Sequence, residues 1–142
     1  NYIVVHCSAT REGCTLTSEV LEAEHRRRGF RTTGYHYYIR RDGTVLGTRS
    51  LELPGAHCRG HNKYSIGICY EGGLDARGNP KDTRTPEQRS ALHLLVYQLL
   101  QQFRNARVCG HRDLSPDLDG DGTVEPWEWV KQCPCFEVSK EF

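Results

Sequence analysis

The segment from residue 85 to residue 104 limits the fold of this chain most strongly, because it is a well-marked amphipathic helix. It opens with Thr85-Pro86-Glu87-Gln88, in which the threonine caps the helix, the proline takes its first position and the glutamine completes a capping box. Apolar residues then recur at helical spacing: Leu92, Leu95, Val96, Leu99, Leu100 and Phe103. One face of this helix must therefore pack against a flat apolar surface, such as a β-sheet.

Short β-branched and aromatic runs predict the strands of that sheet. They lie at residues 3–5, 35–39, 44–46, 65–70 and 107–109. Asp42-Gly43 joins the second and third runs with the turn chemistry of a hairpin. A weaker helix is predicted over residues 17–28, stopped by Gly29. We therefore predict an α/β fold, in which α-helices pack on a mixed central β-sheet, as a single domain over residues 1–142.

The charge of the chain is nearly balanced, with 19 basic and 18 acidic residues and a formal net charge of +1. Proteins that bind through phosphate contacts are normally more basic. No apolar run approaches the roughly 18 residues of a membrane span. We therefore expect no nucleic-acid partner, no membrane partner and, by default, a monomer. Localisation stays open, since release from a cytoplasm at lysis and export both fit the sequence.

His6, His111 and Cys133 are candidate metal ligands, because the two histidines lie at strand ends and the cysteine follows a short apolar segment. Two imidazoles and one thiolate suit a three-ligand zinc site with a fourth position for water. Spacing alone makes this a weak signal in a chain with 7 histidines and 7 cysteines. Cys7 or Cys135 as a fourth ligand would instead close the site and make the zinc purely structural.

The residues around these three positions resemble a known family over nearly the whole chain. Eight segments follow one another in the family's order: VHCSAT at 5–10, GYHY at 34–37, RDGTV at 41–45, GAH at 55–57, GHN at 60–62, SIGI at 65–68, GHRD at 110–113 and KQCP at 131–134. The family is that of the zinc N-acetylmuramoyl-L-alanine amidases of type 2, which includes the amidase lysozymes of phages and the peptidoglycan recognition proteins.

The resemblance implies a catalytic zinc held by His6, His111 and Cys133, with Tyr35 beside the metal and Lys131 facing the reacting carbonyl. A lysine ammonium and a tyrosine hydroxyl are suited to stabilise the oxyanion of a tetrahedral intermediate. The implied activity is hydrolysis of the amide bond between N-acetylmuramic acid and the L-alanine of the stem peptide. Peptidoglycan, with its glycan and stem peptide, is then the expected partner.

The resemblance further implies that the loop carrying His57 and Asn62 lies beside the substrate groove, so both are candidate substrate-binding residues. Asn62 is equally suited to hydrogen-bond its own loop. The alternative function is a non-catalytic peptidoglycan-binding module. Such relatives characteristically lack the cysteine ligand, and the presence of Cys133 therefore favours the enzyme.

Residues 117–128, DLDGDGTVEPWE, are an insertion that matches the twelve-position EF-hand calcium loop. The predicted calcium ligands are Asp117, Asp119, Asp121, the Thr123 carbonyl and Glu128, with Glu125 through water. No helix precedes the loop, which argues against a calcium sensor and for a structural calcium that rigidifies the path from His111 to Cys133. The alternatives are an acidic turn without metal and a calcium-dependent interaction domain.

Overall fold

A mixed five-stranded sheet forms the centre of the protein, which a computed structural model describes over all 142 residues. The strands are β1 (Tyr2–Cys7), β2 (Thr10–Arg11), β3 (Tyr37–Ile39), β4 (Val45–Gly47), β5 (Ser65–Tyr70), β6 (Gly73–Leu74) and β7 (Arg107–Gly110). The central sheet has the order β4-β3-β5-β1-β7, in which only the β3–β4 pair is antiparallel. β2 and β6 pair separately in parallel. The predicted α/β fold with a mixed central sheet is confirmed.

Two α-helices pack on this sheet, α1 (Ser18–Arg27) and α2 (Pro86–Gln102). The predicted capping box begins α2, because the Thr85 hydroxyl accepts from the Gln88 N–H and the Gln88 side chain accepts from the Thr85 N–H, both at 3.0 Å. The buried Gln88 amide also donates to the carbonyl of Glu71 at 2.9 Å, just beyond β5. The capping residue thus ties the start of α2 to the sheet.

The two faces of the sheet carry different cores, because successive side chains of a strand point to opposite faces. The α2 face buries Ile3, Val5 and Cys7 of β1 with the apolar side of the helix. The other face carries the smaller cluster of Leu21, Tyr38 and Cys69 beside α1. His6 alternates with Val5 and Cys7, so its side chain lies on the α1 face, at the carboxyl end of a parallel strand. Ligand sites of open α/β sheets form at this edge.

Two details differ from the sequence prediction. The first hairpin strand begins at Tyr37, not at residue 35, because the Tyr35 carbonyl accepts hydrogen bonds from the hydroxyls of Thr33 and Thr48 and so leaves the ladder. The sequence predicted neither β2 nor β6, because a two-residue pairing is too short to produce a periodic pattern. Neither helix has the length and apolarity that crossing a membrane requires.

Candidate active site

His6, His111 and Cys133 meet at the carboxyl edge of the sheet, where one ligand atom of each lies within 4.8 Å of those of the other two. β7 pairs with β1, so His111, directly after β7, stands beside His6 with 4.6 Å between ring centroids. The Cys133 carbonyl accepts from the Arg112 N–H at 2.9 Å, and the Cys133 Sγ accepts from the Cys7 N–H at 3.2 Å. Residues over 120 positions apart thereby form one site.

The donor set of this site suits zinc. His6 is buried, and this burial, reinforced by the neighbouring His57, His111 and Lys131, holds the pKa of His6 well below its ordinary value. A neutral imidazole keeps a lone pair for a metal, imidazole nitrogen and thiolate sulfur are typical zinc donors, and three protein ligands leave a fourth position for water. The three residues therefore fit the metal that the sequence implies.

Cys7 and Cys135 are not part of the converging set. The Cys135 thiol donates to the Gly73 carbonyl at 3.3 Å, and Cys7 lies in the core on the α2 face. Hydrogen bonding to Cys133 and burial raise the pKa of Cys7 to about 12, so its thiol stays protonated. This arrangement favours three protein ligands over four.

Tyr35 and Lys131 both line the cavity that contains the ligand cluster, about 500 Å³ in volume. The Tyr35 ring lies 5.1 Å from that of His6, centroid to centroid. Burial raises the pKa of Tyr35 well above its ordinary value, so the hydroxyl remains a hydrogen-bond donor. Lys131 is exposed to solvent at the mouth of this cavity.

A larger groove of about 930 Å³ adjoins this cavity. The residues that line both spaces are Arg28, Ala56, His57, His111 and Lys131. The ligand cluster therefore lies at the side of an extended groove.

His57 and Asn62 both line this groove, and both are hydrogen-bonded within the protein. The Asn62 Oδ1 accepts from the backbone N–H groups of His57 and Cys58, each at 2.8 Å, and so holds its own loop. The His57 Nδ1 lies 2.8 Å from His6 Nε2, and its Nε2 lies 3.1 Å from Ser65 Oγ.

His25 of α1 is a site residue that the sequence analysis did not single out. Its Nδ1 accepts from the Gly34 N–H at 2.7 Å, and its ring lies 5.5 Å from that of Tyr35. It lines the cavity with Tyr35 and supports the backbone directly before it. The available signal was its i, i+4 spacing from Leu21, which places both residues on the buried face of α1.

The acidic loop brings its carboxylates together in two overlapping groups, Asp117 with Asp119 and Glu128, and Asp119 with Asp121 and Glu125. Glu128 is only 3% exposed and accepts from three backbone N–H groups of the loop. A hydrogen bond to Glu128, burial and the nearby aspartates raise the pKa of Glu125 to about 7. The loop therefore concentrates negative charge.

Residues 1–134 match the N-acetylmuramoyl-L-alanine amidase family. The endolysin of Klebsiella phage KP32 is 36% identical over 138 residues, covering 97% of this chain and 82% of the endolysin. The N-acetylmuramoyl-L-alanine amidase LysC from Clostridium intestinale superposes with a TM-score of 0.76 at 27% identity, covering 99% of this chain and 80% of LysC. A complex of peptidoglycan recognition proteins LCa and LCx bound to tracheal cytotoxin contains a chain with a TM-score of 0.72 at 26% identity, covering 99% of this chain and 79% of that chain.

The fold and the site define a small α/β domain of the amidase and peptidoglycan-recognition class. This chain belongs to the N-acetylmuramoyl-L-alanine amidase family. Its membership and its endolysin relatives support peptidoglycan hydrolase activity and peptidoglycan as the partner.

Proposed function

We propose that this protein is a zinc-dependent amidase that hydrolyses the bond between N-acetylmuramic acid and the L-alanine of the stem peptide. The observation that carries the proposal is the convergence of His6, His111 and Cys133 within 4.8 Å at the side of a groove. A monomer is sufficient for this function, because every proposed site residue comes from one chain.

Each site residue has a distinct task in the proposed reaction. His6, His111 and Cys133 would hold Zn²⁺, which when bound acidifies water and polarises a carbonyl. Lys131 at the cavity mouth and the protonated Tyr35 hydroxyl would donate to the oxyanion that develops on the amide carbonyl oxygen. Tyr35, kept neutral by burial, has its proton available over the whole physiological pH range.

The groove supplies substrate binding in this proposal. Glycan and stem peptide would lie along the wall that carries His57 and Asn62. The Asn62 oxygen is already bound to its own loop, so Asn62 would act on substrate through its amide nitrogen and by holding the wall in place.

A calcium ion in the loop over residues 117–128 is a second part of the proposal. Asp117, Asp119, Asp121, the Thr123 carbonyl and Glu128 would bind it, with Glu125 through water. The motif and the crowding of the carboxylates support this assignment, because like charges at short range require compensation. Bound calcium would stiffen the segment that connects His111 to Lys131 and Cys133.

Calorimetric titration of calcium into the protein tests that part, with Asp117→Asn as the variant and Asp75→Asn, in a turn outside the loop, as the matched control. We expect calcium binding and a raised Tm in wild type and control, and neither in Asp117→Asn. Absence of calcium binding in the wild type would leave an acidic turn without metal.

The test of the amidase is mass spectrometry of soluble products from purified peptidoglycan. The protein is incubated as isolated, after zinc chelation and after zinc is restored. We expect free stem peptides that begin with L-alanine, lost on chelation and recovered with zinc. Undigested wall that still retains the protein would instead identify a non-catalytic peptidoglycan-binding module, the function suggested by the likeness to the LCa and LCx complex.

A further inference from the structure

We propose that His57 is a positioning residue for the metal, because it holds His6 in the one tautomer whose Nδ1 is free to bind zinc. The inference deepens the proposed function and rests on zinc being bound by His6. It assigns His57 a task beyond lining the groove.

The hydrogen-bond chain behind His57 determines where its proton lies. The Ser65 hydroxyl donates to the His61 carbonyl at 2.7 Å, so its single proton is already used. At the 3.1 Å contact between Ser65 Oγ and His57 Nε2, the ring nitrogen must therefore be the donor. No carboxylate is paired with His57, so its neutral form carries its one ring proton on Nε2.

The position of the His57 proton determines the tautomer of His6. With its proton on Nε2, His57 presents a lone pair on Nδ1 to the Nε2 of His6, 2.8 Å away. His6 Nε2 must then carry a proton and donate it, which leaves the lone pair of His6 on Nδ1. Metal-bound histidines typically donate their second ring N–H to an acceptor that fixes tautomer and orientation. His57 Nδ1 is that acceptor here.

The packing around His57 fits this task, because the ring lies close against two glycines. A Cβ on Gly67 would come within 2.6 Å of the ring and one on Gly55 closer still, so only glycine fits at either position. The Asn62 side chain holds the backbone N–H of His57 from the loop side. Packing against the two glycines and the hydrogen bond from the loop thus hold the acceptor toward His6.

The experiment measures zinc affinity by competition with a chromophoric chelator. His57→Ala removes the acceptor, and His57→Asn places an amide oxygen where Nδ1 was. Alteration of such outer partners typically weakens metal binding about 10- to 100-fold. We expect that loss in His57→Ala, with substantial recovery in His57→Asn. His93→Ala, an exposed histidine of α2, is the control and should bind zinc like the wild type.

Nitrogen-15 NMR of the histidine rings in the metal-free wild type supplies a second readout that needs no variant to fold. We expect both His6 and His57 as Nε2–H tautomers. A His6 ring protonated on Nδ1, or zinc affinity unchanged in a folded His57→Ala, would overturn the inference. Failure of the amidase proposal would be seen separately, as absence of L-alanine peptides from the wild type, while the tautomers would still decide the role of His57.

Discussion

The backbone N–H of Cys7 donates a hydrogen bond to the Sγ of Cys133 over 3.2 Å, although 126 positions separate the two residues. Because Cys7 follows His6 directly, the end of β1 both carries one proposed zinc ligand and orients another. The distant cysteine is therefore held against the strand by the backbone as well as by any metal.

Replacement of Cys133 by serine is expected to abolish stoichiometric zinc binding, because a serine hydroxyl is a poor substitute for a thiolate ligand. Metal analysis of the purified protein measures the loss, and peptide release should disappear with it. The exposed Cys14 serves as the matched control, and Cys14→Ser should retain zinc and activity. Full zinc occupancy in Cys133→Ser would contradict the assigned ligand set.

Tyr35→Phe and Lys131→Met should each lower kcat, by about 10²- to 10³-fold if each removes one oxyanion donor. KM should change little, because the oxyanion that these donors stabilise develops only in the transition state. Zinc content should also change little, because neither residue is a proposed metal ligand. Steady-state kinetics on a soluble muropeptide measures the effect. Tyr97→Phe, which removes an exposed hydroxyl on α2, is the control. A kcat equal to the wild type in both site variants would remove these residues from the mechanism.

Glu125→Gln should raise the Tm of the calcium-free protein at pH 8. The folded pKa of Glu125 is about 7, above the ordinary value of about 4.3, so the unfolded chain ionises first as the pH rises between these values. The wild type therefore loses stability over that range and carries the full penalty at pH 8. The gain should shrink as the pH falls through 7. Scanning calorimetry measures it, with the exposed Glu52→Gln as control. A lower Tm for Glu125→Gln at pH 8 would show that this carboxylate stabilises the loop.

The zinc-free protein should lose stability as the pH falls below about 6.5. Burial lowers the pKa values of His25 and His36 in the folded state. As the pH falls, these histidines are therefore protonated first in the unfolded chain, which stabilises the unfolded state relative to the folded one. The slope is at most about 1.4 kcal/mol per pH unit for each such proton. Urea unfolding in a Glu125→Gln background, where residue 125 does not titrate, measures it.

The matched comparison for this pH dependence is the same background with His25→Gln, which should have a shallower slope because one titrating group is gone. A free energy of unfolding that stays constant between pH 7.5 and pH 5.5 would show that these histidines ionise alike in the folded and unfolded chains.

Much of the fold was predictable because its signals are local. The capping box at Thr85 and the apolar spacing after it predict α2 within two residues of its observed end. The run over residues 65–70 coincides with β5. The start of β3 was predicted wrongly, since the hydroxyls that capture the Tyr35 carbonyl belong to Thr33 and Thr48, and the second of these lies 13 positions away.

The sequence by itself determined α2, the strand segments and the order of the family motifs, because spacing and residue type record these directly. The resemblance carried by those motifs, and not the spacing, supplied the proposed ligands. Only the tertiary structure decided that the Cys7 N–H binds the Cys133 sulfur, that His25 supports the backbone directly before Tyr35, and that His57 faces His6 while packed against two glycines. Contacts of this kind depend on strand order and on distances between residues remote in the chain, which no local pattern encodes.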